Sequence, residues 1–165
     1  MRKKVRVRRR RTSEDNEGAT VDQPYAITLE EAPDPRDIQA VEGGLSAYNR
    51  ARVGADDYRR FALFLRAPDR AVVGGLLGDL YWGWLHVDIL WVAEPLRRQG
   101  HGQALLAAAE QEAVRRGCRY AHLDTMGFQA RPFYERHGYT LFGALHDIPA
   151  GSGHSRYFMR KTLAD

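Results

Sequence analysis

Apolar and polar positions recur along the chain in two rhythms, and the places where one gives way to the other divide it into elements. Tyr25-Ala-Ile-Thr-Leu29 alternates as a first strand would. Asp34-Pro35 then reads as an N-cap followed by proline at the first helical position, and Ile38, Val41, Leu45 and Tyr48 continue at helical spacing. Gly43-Gly44 lies inside that helix and predicts a weak point. From Tyr58 the period changes. Tyr58 to Leu65, Ala71 to Tyr81 and Trp84 to Val92 are three strand-like runs, and the turn signals Pro68-Asp69 and Trp82-Gly83 between them predict an antiparallel meander.

Pro95 cannot continue a central strand and ends the third run. Gly102 to Arg116 reads as a helix, with Leu105, Leu106, Ala109 and Ala113 on one stripe, Arg115 and Arg116 in the last turn and Gly117 just past the end. A strand from Tyr120 to Asp124, a short helix near Pro132 to His137 and two strands, Tyr139 to Leu145 and Ser155 to Lys161, complete the order. That order predicts an α/β chain of the α+β kind, with a mixed sheet rather than a simple βαβ series.

Composition narrows this. A chain of 165 residues with 44% hydrophobic and 28% charged residues has room for one globular domain. The formal charge of +4 conceals an asymmetry, because eight of the 25 cations fall in the first eleven residues, where no acid occurs. Setting those eight aside leaves 17 cations against 21 acids, so the body is mildly acidic. Residues 1–23 are expected to be a basic, polar, disordered tail, and residues 24–165 the domain. The single cysteine, Cys118, excludes an internal disulfide framework and a multi-thiolate zinc site, and suits a reducing, cytoplasmic setting. No apolar core follows the basic start, and the longest apolar run, Ala71 to Leu77, is far short of the roughly 20 residues that cross a bilayer, so no membrane association is expected.

The segment with most chemical content is Leu90-Trp-Val-Ala-Glu-Pro-Leu-Arg-Arg-Gln-Gly-His-Gly-Gln-Ala-Leu-Leu106, a strand, a turn rich in arginine and glycine, and a helix. Glycines at 100 and 102 permit a tight backbone whose N–H groups point outward at a helix N-terminus, an arrangement that binds phosphate. The spacing fits neither the dinucleotide fingerprint Gly-x-Gly-x-x-Gly nor the P-loop.

Here the sequence resembles the GNAT superfamily of N-acetyltransferases. Arg97-x-x-Gly100-x-Gly102 matches the family's acetyl-CoA signature in its required place between strand and helix, and Ala130-Arg-Pro-Phe-Tyr-Glu-Arg-His-Gly-Tyr139 matches a second family segment. The likeness spans roughly residues 25 to 163 and implies a mixed six- to seven-stranded sheet flanked by helices, with two strands that splay apart around the thioester. It implies acetyl-CoA as co-substrate. The amides from Arg98 through Gln99, Gly100, His101 and Gly102 to Gln103 would cradle the pyrophosphate, with Arg97 opening the motif, and the backbone of Trp91, Val92 and Ala93 would pair with pantetheine. Many members carry Asn where this chain has Gly127, and Gln129 is the candidate to replace that contact.

By the same resemblance Tyr134 is the general acid toward the departing thiolate, a phenol whose reference pKa of about 10 keeps it protonated at neutral pH. The acceptor amine must lose a proton, so a base or a water relay is needed. Counting back from the glycine signature, His86 and Asp88 fall where arylalkylamine acetyltransferases carry strand histidines involved in deprotonation. Strict alternation puts Trp84, His86, Asp88 and Leu90 on one face of the strand, and Leu85, Val87, Ile89 and Trp91 on the other. Asp88 would also attract a cationic acceptor, and Trp82 and Trp84, with Tyr81, are candidates to line its pocket. No third ligand accompanies His86 and Asp88, so no metal is expected, and Cys118 reads as an inert packed thiol.

The expected function is acetyl-CoA-dependent acetylation of a primary amine by direct attack in a ternary complex. A small-molecule amine, such as a polyamine or an antibiotic, ranks above a protein N-terminus or lysine because the acidic body and Asp88 suit a small cation. From another class comes an acyl-CoA-sensing protein whose basic tail makes non-specific, salt-dependent contact with nucleic acid. A homodimer is a further expectation, common among look-alikes.

Overall fold

A computed structural model describes residues 25–55 and 57–164. The expected tail, residues 1–23, lies outside them. Among the described residues the chain falls into two compact units that meet at Gly54 and Ala55 in sequence.

The first unit contains α1 (Pro35–Val53), and the local signals explain its start. The Asp34 carboxylate accepts from the Arg36 backbone N–H at 2.9 Å, and Pro35 supplies the preset φ of a first helical residue. Gly43-Gly44 does not break the helix, which runs through both residues and ends at Gly54, whose φ of 83° no helix continues. The expected first strand is absent: residues 25–30 belong to no strand, and Tyr25, Ile27 and Leu29 are exposed. Alternation marks which residues suit a pleated surface, but a strand forms only where a neighbour supplies a ladder, and no described strand pairs with this segment.

The second unit is a six-stranded mixed sheet, β1 (Arg59–Arg66), β2 (Val72–Tyr81), β3 (Trp84–Val92), β4 (Tyr120–Met126), β5 (Thr140–His146) and β6 (Ser155–Thr162), in the order β1-β2-β3-β4-β6-β5. The first three strands form the expected antiparallel meander. β3 and β4 are parallel, joined by a crossover through α2 (His101–Arg115), while β6 pairs antiparallel with both β4 and β5. The short α3 (Arg131–Arg136) follows β4.

One face of the sheet carries the core. Leu76, Leu80, Leu85, Val87, Ala121, Leu123 and Met159 meet Leu105, Leu106, Ala109 and Ala113 of α2 and Tyr134 of α3. Each large side chain buried there contributes about 1.5 to 3 kcal/mol. The fully buried Ala109 and Ala113 let α2 sit close to the strands. α2 stops as its sequence predicts, with Gly117 at φ 86° and the Cys118 N–H returning to the Ala113 carbonyl at 2.9 Å. Cys118 is buried, and burial pushes its thiol pKa up, away from the reactive thiolate.

Candidate active site

The sheet opens at one place. β3 and β4 share rungs from Trp84 opposite Tyr120 to Val87 opposite Leu123, and none beyond, although β3 runs on to Val92 and β4 to Met126. Immediately past the last rung β3 also carries a bulge on its other side. Gly78 of β2 faces Val87, the preceding Leu77 faces Ile89, and Asp88 is left without a partner in the ladder. Gly78 makes room for this: a Cβ there would lie 2.7 Å from the His86 carbonyl oxygen.

The bulge corrects the strict alternation expected of β3. Leu85 and Val87 face the core, but so do Leu90 and Val92, whereas Ile89 and Trp91 are exposed. One inserted residue flips every later side chain to the other face. His86 therefore does not share a face with Leu90, and Asp88 sits exposed at the flip itself.

At the far end of β3 the chain makes a single 3₁₀ turn, Glu94–Leu96, begun by Pro95 at its second position. Arg97 folds back to donate from Nε to the Val92 carbonyl at 3.0 Å, and Gln99 Nε2 donates to the Pro95 carbonyl at 2.8 Å. Both side chains brace the turn. Arg98 (φ 61°) and Gly100 (φ 85°) adopt left-handed conformations that swing the chain into α2. The first bond of the α2 ladder runs from Ala104 N–H to the Gly100 carbonyl, and no side chain caps this terminus. The amides of His101, Gly102 and Gln103 thus precede the ladder at the positive end of the helix dipole. Around Gly102 the nearest atoms to an added Cβ would be the Phe133 ring carbons at 3.8 Å, so its small size answers no crowding within the protein.

Tyr134 approaches the opening from the core side. It is 7% exposed, and its hydroxyl pKa is pushed up to about 12, first by burial and then by the Asp124 carboxylate. Asp124 is the first β4 residue past the last β3 rung, and it lies on the sheet face away from α2 and α3, between the buried Leu123 and Thr125. Its Oδ2 accepts from Arg156 Nε at 2.5 Å. Just beyond, the Gln129 side-chain oxygen accepts from the Met126 N–H at 2.8 Å and from Thr125 Oγ1 at 3.3 Å. The carbonyl end of Gln129 is therefore spent on closing its own loop. Gly127 sits against strand β6, where a Cβ would touch the Ser155 carbonyl oxygen and the Tyr157 ring at 3.4 Å.

The same outer face carries a row of titratable side chains in register across the strands. Arg60 faces Asp79, Asp79 faces His86, His86 faces His122, and His122 faces Arg160. His86 Nδ1 lies 3.5 Å from Asp79 Oδ2, and the two imidazoles stack with centroids 4.6 Å apart. His122 Nε2 is 2.6 Å from the Tyr81 hydroxyl. Burial, and then the neighbouring His86, lower the pKa of His122. His86 thus stands between the Asp79 carboxylate and the His122 ring.

Of the residues singled out in the sequence, the structure brings His86 and Asp88 to the mouth of the opening, Tyr134 to its core side, and residues 91–103 to its end. Trp82 and Trp84 lie toward the other end of β3. Trp84 opens the strand eight residues before Val92, which at about 3.3 Å per residue puts roughly 26 Å between it and the strand's far end, and Trp82 lies in the turn before it. There they line a pocket of about 380 Å³ with Tyr81, His122, Phe142 and Arg160. Asp79, His122, Asp124 and Arg156 were not legible as site residues, since only strand register assembles them. Among the described residues no three His, Cys, Asp or Glu are grouped to hold a metal, and no helix is long and apolar enough to cross a membrane.

Residues 24–139 match the family described as acetyltransferase (GNAT) family. An acetyltransferase of Agrobacterium fabrum is 42% identical over 135 residues, 82% of this chain and 97% of that protein. The blasticidin-S acetyltransferase of Streptomyces morookaense is 44% identical over 81 residues, 48% of this chain and 60% of the relative. Among solved structures, an acetyltransferase of Bacillus cereus superposes with a TM-score of 0.73 at 31% identity, covering 82% of this chain and 97% of its own.

Proposed function

This chain belongs to the GNAT family of acetyltransferases, and from that premise we propose that it transfers the acetyl group of acetyl-CoA to a primary amine of a small molecule by direct attack in a ternary complex. The observation that carries the reading is the opening between β3 and β4, which has a capless helix N-terminus at one end and a buried phenol beside it. The amides from Arg98 to Gln103 hold the pyrophosphate, and the backbone of Trp91 to Ala93, laddered to β2 on one side and past the last β4 rung on the other, receives the pantetheine arm as an added strand. Gln129, with its carbonyl already engaged, shapes that passage rather than reaching the arm with its oxygen.

The thioester carbonyl then lies at the mouth. The neutral amine nitrogen attacks the carbonyl carbon, the C–S bond breaks, and the electron pair leaves with sulfur. The proton lost by the amine passes to His86 directly or through water, with Asp79 beside Nδ1 leaving Nε2 as the acceptor. Tyr134 serves the sulfur. With its pKa at about 12 the phenol stays protonated throughout the physiological range, and it stabilises the departing thiolate by a hydrogen bond that strengthens as charge develops. Asp88, exposed in the bulge and held by no ion pair among the described residues, draws cationic acceptors to the opening.

A small-molecule acceptor is favoured by the acidic body and by the blasticidin-S relative. The test is acetyl-CoA-dependent thiol release over panels of small amines and peptides, with Tyr134→Phe as the control. Release with small amines at a kcat/KM well above that with peptides supports the reading. A preference for peptide N-termini or lysines replaces the acceptor class, and binding of acetyl-CoA without turnover on any acceptor makes the protein a sensor. A variant lacking residues 2–11 separates the basic tail from the chemistry, and is expected to acetylate small amines at the full rate.

A further inference from the structure

We propose that Asp124, oriented by Arg156, is the residue that recognises the positive charge of the acceptor and so selects strongly basic amines. This rests on the acetyl-transfer reading above, and assigns within it a contact to a residue that the sequence did not single out.

Four observations place Asp124 at that task. It is the first β4 residue past the last rung shared with β3, so it borders the opening. Its neighbours Leu123 and Thr125 are buried in the core, which turns its own side chain to the outer face, where His86 and Asp88 also lie. Its carboxylate adds to the burial that raises the pKa of Tyr134, which packs on the opposite face of the sheet, so the two groups are near enough for their charges to interact. Its side chain is 26% exposed, open enough to meet a ligand and covered enough for the contact to count.

The fixed geometry of the carboxylate has a cause in the sheet. Arg156 Nε holds Oδ2 at 2.5 Å from the neighbouring strand β6, which leaves Oδ1 as the acceptor free for an ammonium hydrogen. The outer wall beyond it is ready-made: the Gly127 N–H donates to the Ser155 carbonyl at 2.8 Å, and Phe128 packs edge-on against His154 at 5.1 Å between centroids. Asp79 cannot take the same part, because it already faces Arg60 at 3.4 Å and His86. Asp88 is exposed to solvent, where a charge attracts from a distance and discriminates little. An amine seated on Oδ1 would still have to lose one proton before attack, and His86, two rungs back on the same face, is the group placed to take it.

The experiment compares two acceptors of one carbon skeleton, an alkylamine that is protonated at the assay pH and an alkoxyamine that is neutral there. Asp124→Asn is expected to raise KM about 10- to 100-fold for the alkylamine, as loss of a charge-assisted hydrogen bond would. It should leave KM for the alkoxyamine, kcat for both and acetyl-CoA affinity by calorimetry each within about threefold. An equal change for both acceptors, or none, overturns the assignment and leaves the acetyl-transfer reading standing. Wild-type protein that acetylates neither acceptor, nor any other amine, overturns both. Should Asp124→Asn not fold, Asp124→Glu takes its place, since it keeps the charge but moves it by one methylene. A selective rise for the alkylamine supports the proposal there too, and an unselective one refutes it.

Discussion

Gly102→Ala should make this protein more stable and at the same time weaken its hold on CoA. Gly102 is the second residue of α2, and its φ is not in the left-handed region, so alanine meets no backbone strain there. Its added Cβ finds only the Phe133 ring at 3.8 Å, an ordinary van der Waals contact. Replacing glycine by alanine in a helix gains up to about 1 kcal/mol, less in the first turn, which in a domain of this size raises Tm by about 1 to 3 °C. If a phosphate oxygen sits against the Gly102 amide, the same methyl group occupies its place. The loss of at least one charge-assisted hydrogen bond, about 1.5 to 3 kcal/mol, weakens CoA binding by about 10- to 150-fold.

Thermal melting without ligand and calorimetric titration with CoA measure the two effects separately. Gly100→Ala supplies the contrast, since a φ of 85° costs a side chain about 1 to 2 kcal/mol and should lower Tm. A Gly102→Ala protein that melts higher and binds CoA as the wild type does would show that the turn does not seat the phosphates. One that loses stability along with binding would make Gly102 a packing residue after all.

Tyr134→Phe should lower kcat by roughly 10- to 1,000-fold with acetyl-CoA affinity within about twofold, as steady-state kinetics and calorimetry will read. Gly78→Ala should destabilise by about 1 to 3 kcal/mol in denaturant titration, because its Cβ would lie 2.7 Å from a backbone carbonyl that the bulge fixes. Alkaline unfolding tests the environment of Tyr134. Its folded pKa of about 12 lies above the unfolded value of about 10, so the stability from its burial is complete below pH 10 and is lost as pH rises toward 12. Tyr134→Phe should accordingly flatten the fall in Tm across that window relative to wild type.

Much of the fold could be read from local signals because they are local in cause. Pro35 and Asp34 start α1 by their own dihedral and hydrogen bond, Pro95 ends β3, and Gly117 ends α2, with no help from distant residues. The glycine turn that leads into α2 was equally legible, since its glycines stand at fixed spacing in one segment. The bulge was not. Trp84 to Val92 alternates without a glycine or proline, and the residue that permits the insertion, Gly78, stands on the neighbouring strand. Gly43-Gly44 misled in the other direction, because a penalty of about 1 kcal/mol per glycine weakens a long helix without ending it. Asp79, His122, Asp124 and Arg156 are scattered over 78 residues of sequence, and nothing but the register of four strands makes them neighbours.

The bulge and the opening have one origin. An extra residue in β3 increases its local twist and turns its later peptide groups out of the plane in which β4 would meet them, so the parallel ladder stops at the rung before the insertion, Val87 with Leu123. Two consequences follow from that single residue. β3 past Asp88 presents backbone donors and acceptors on the side where a strand would add, which suits an extended ligand carrying amides of its own, as the pantetheine arm does. The insertion also falls on an aspartate, and the first β4 residue past the last rung is another, so two carboxylates border the opening on the outer face. Filling the gap by straightening β3 would return Asp88 to the ladder and close β4 against it. The position of the bulge, rather than the identity of any one side chain near it, is what opens the sheet between a phenol on one face and two carboxylates on the other.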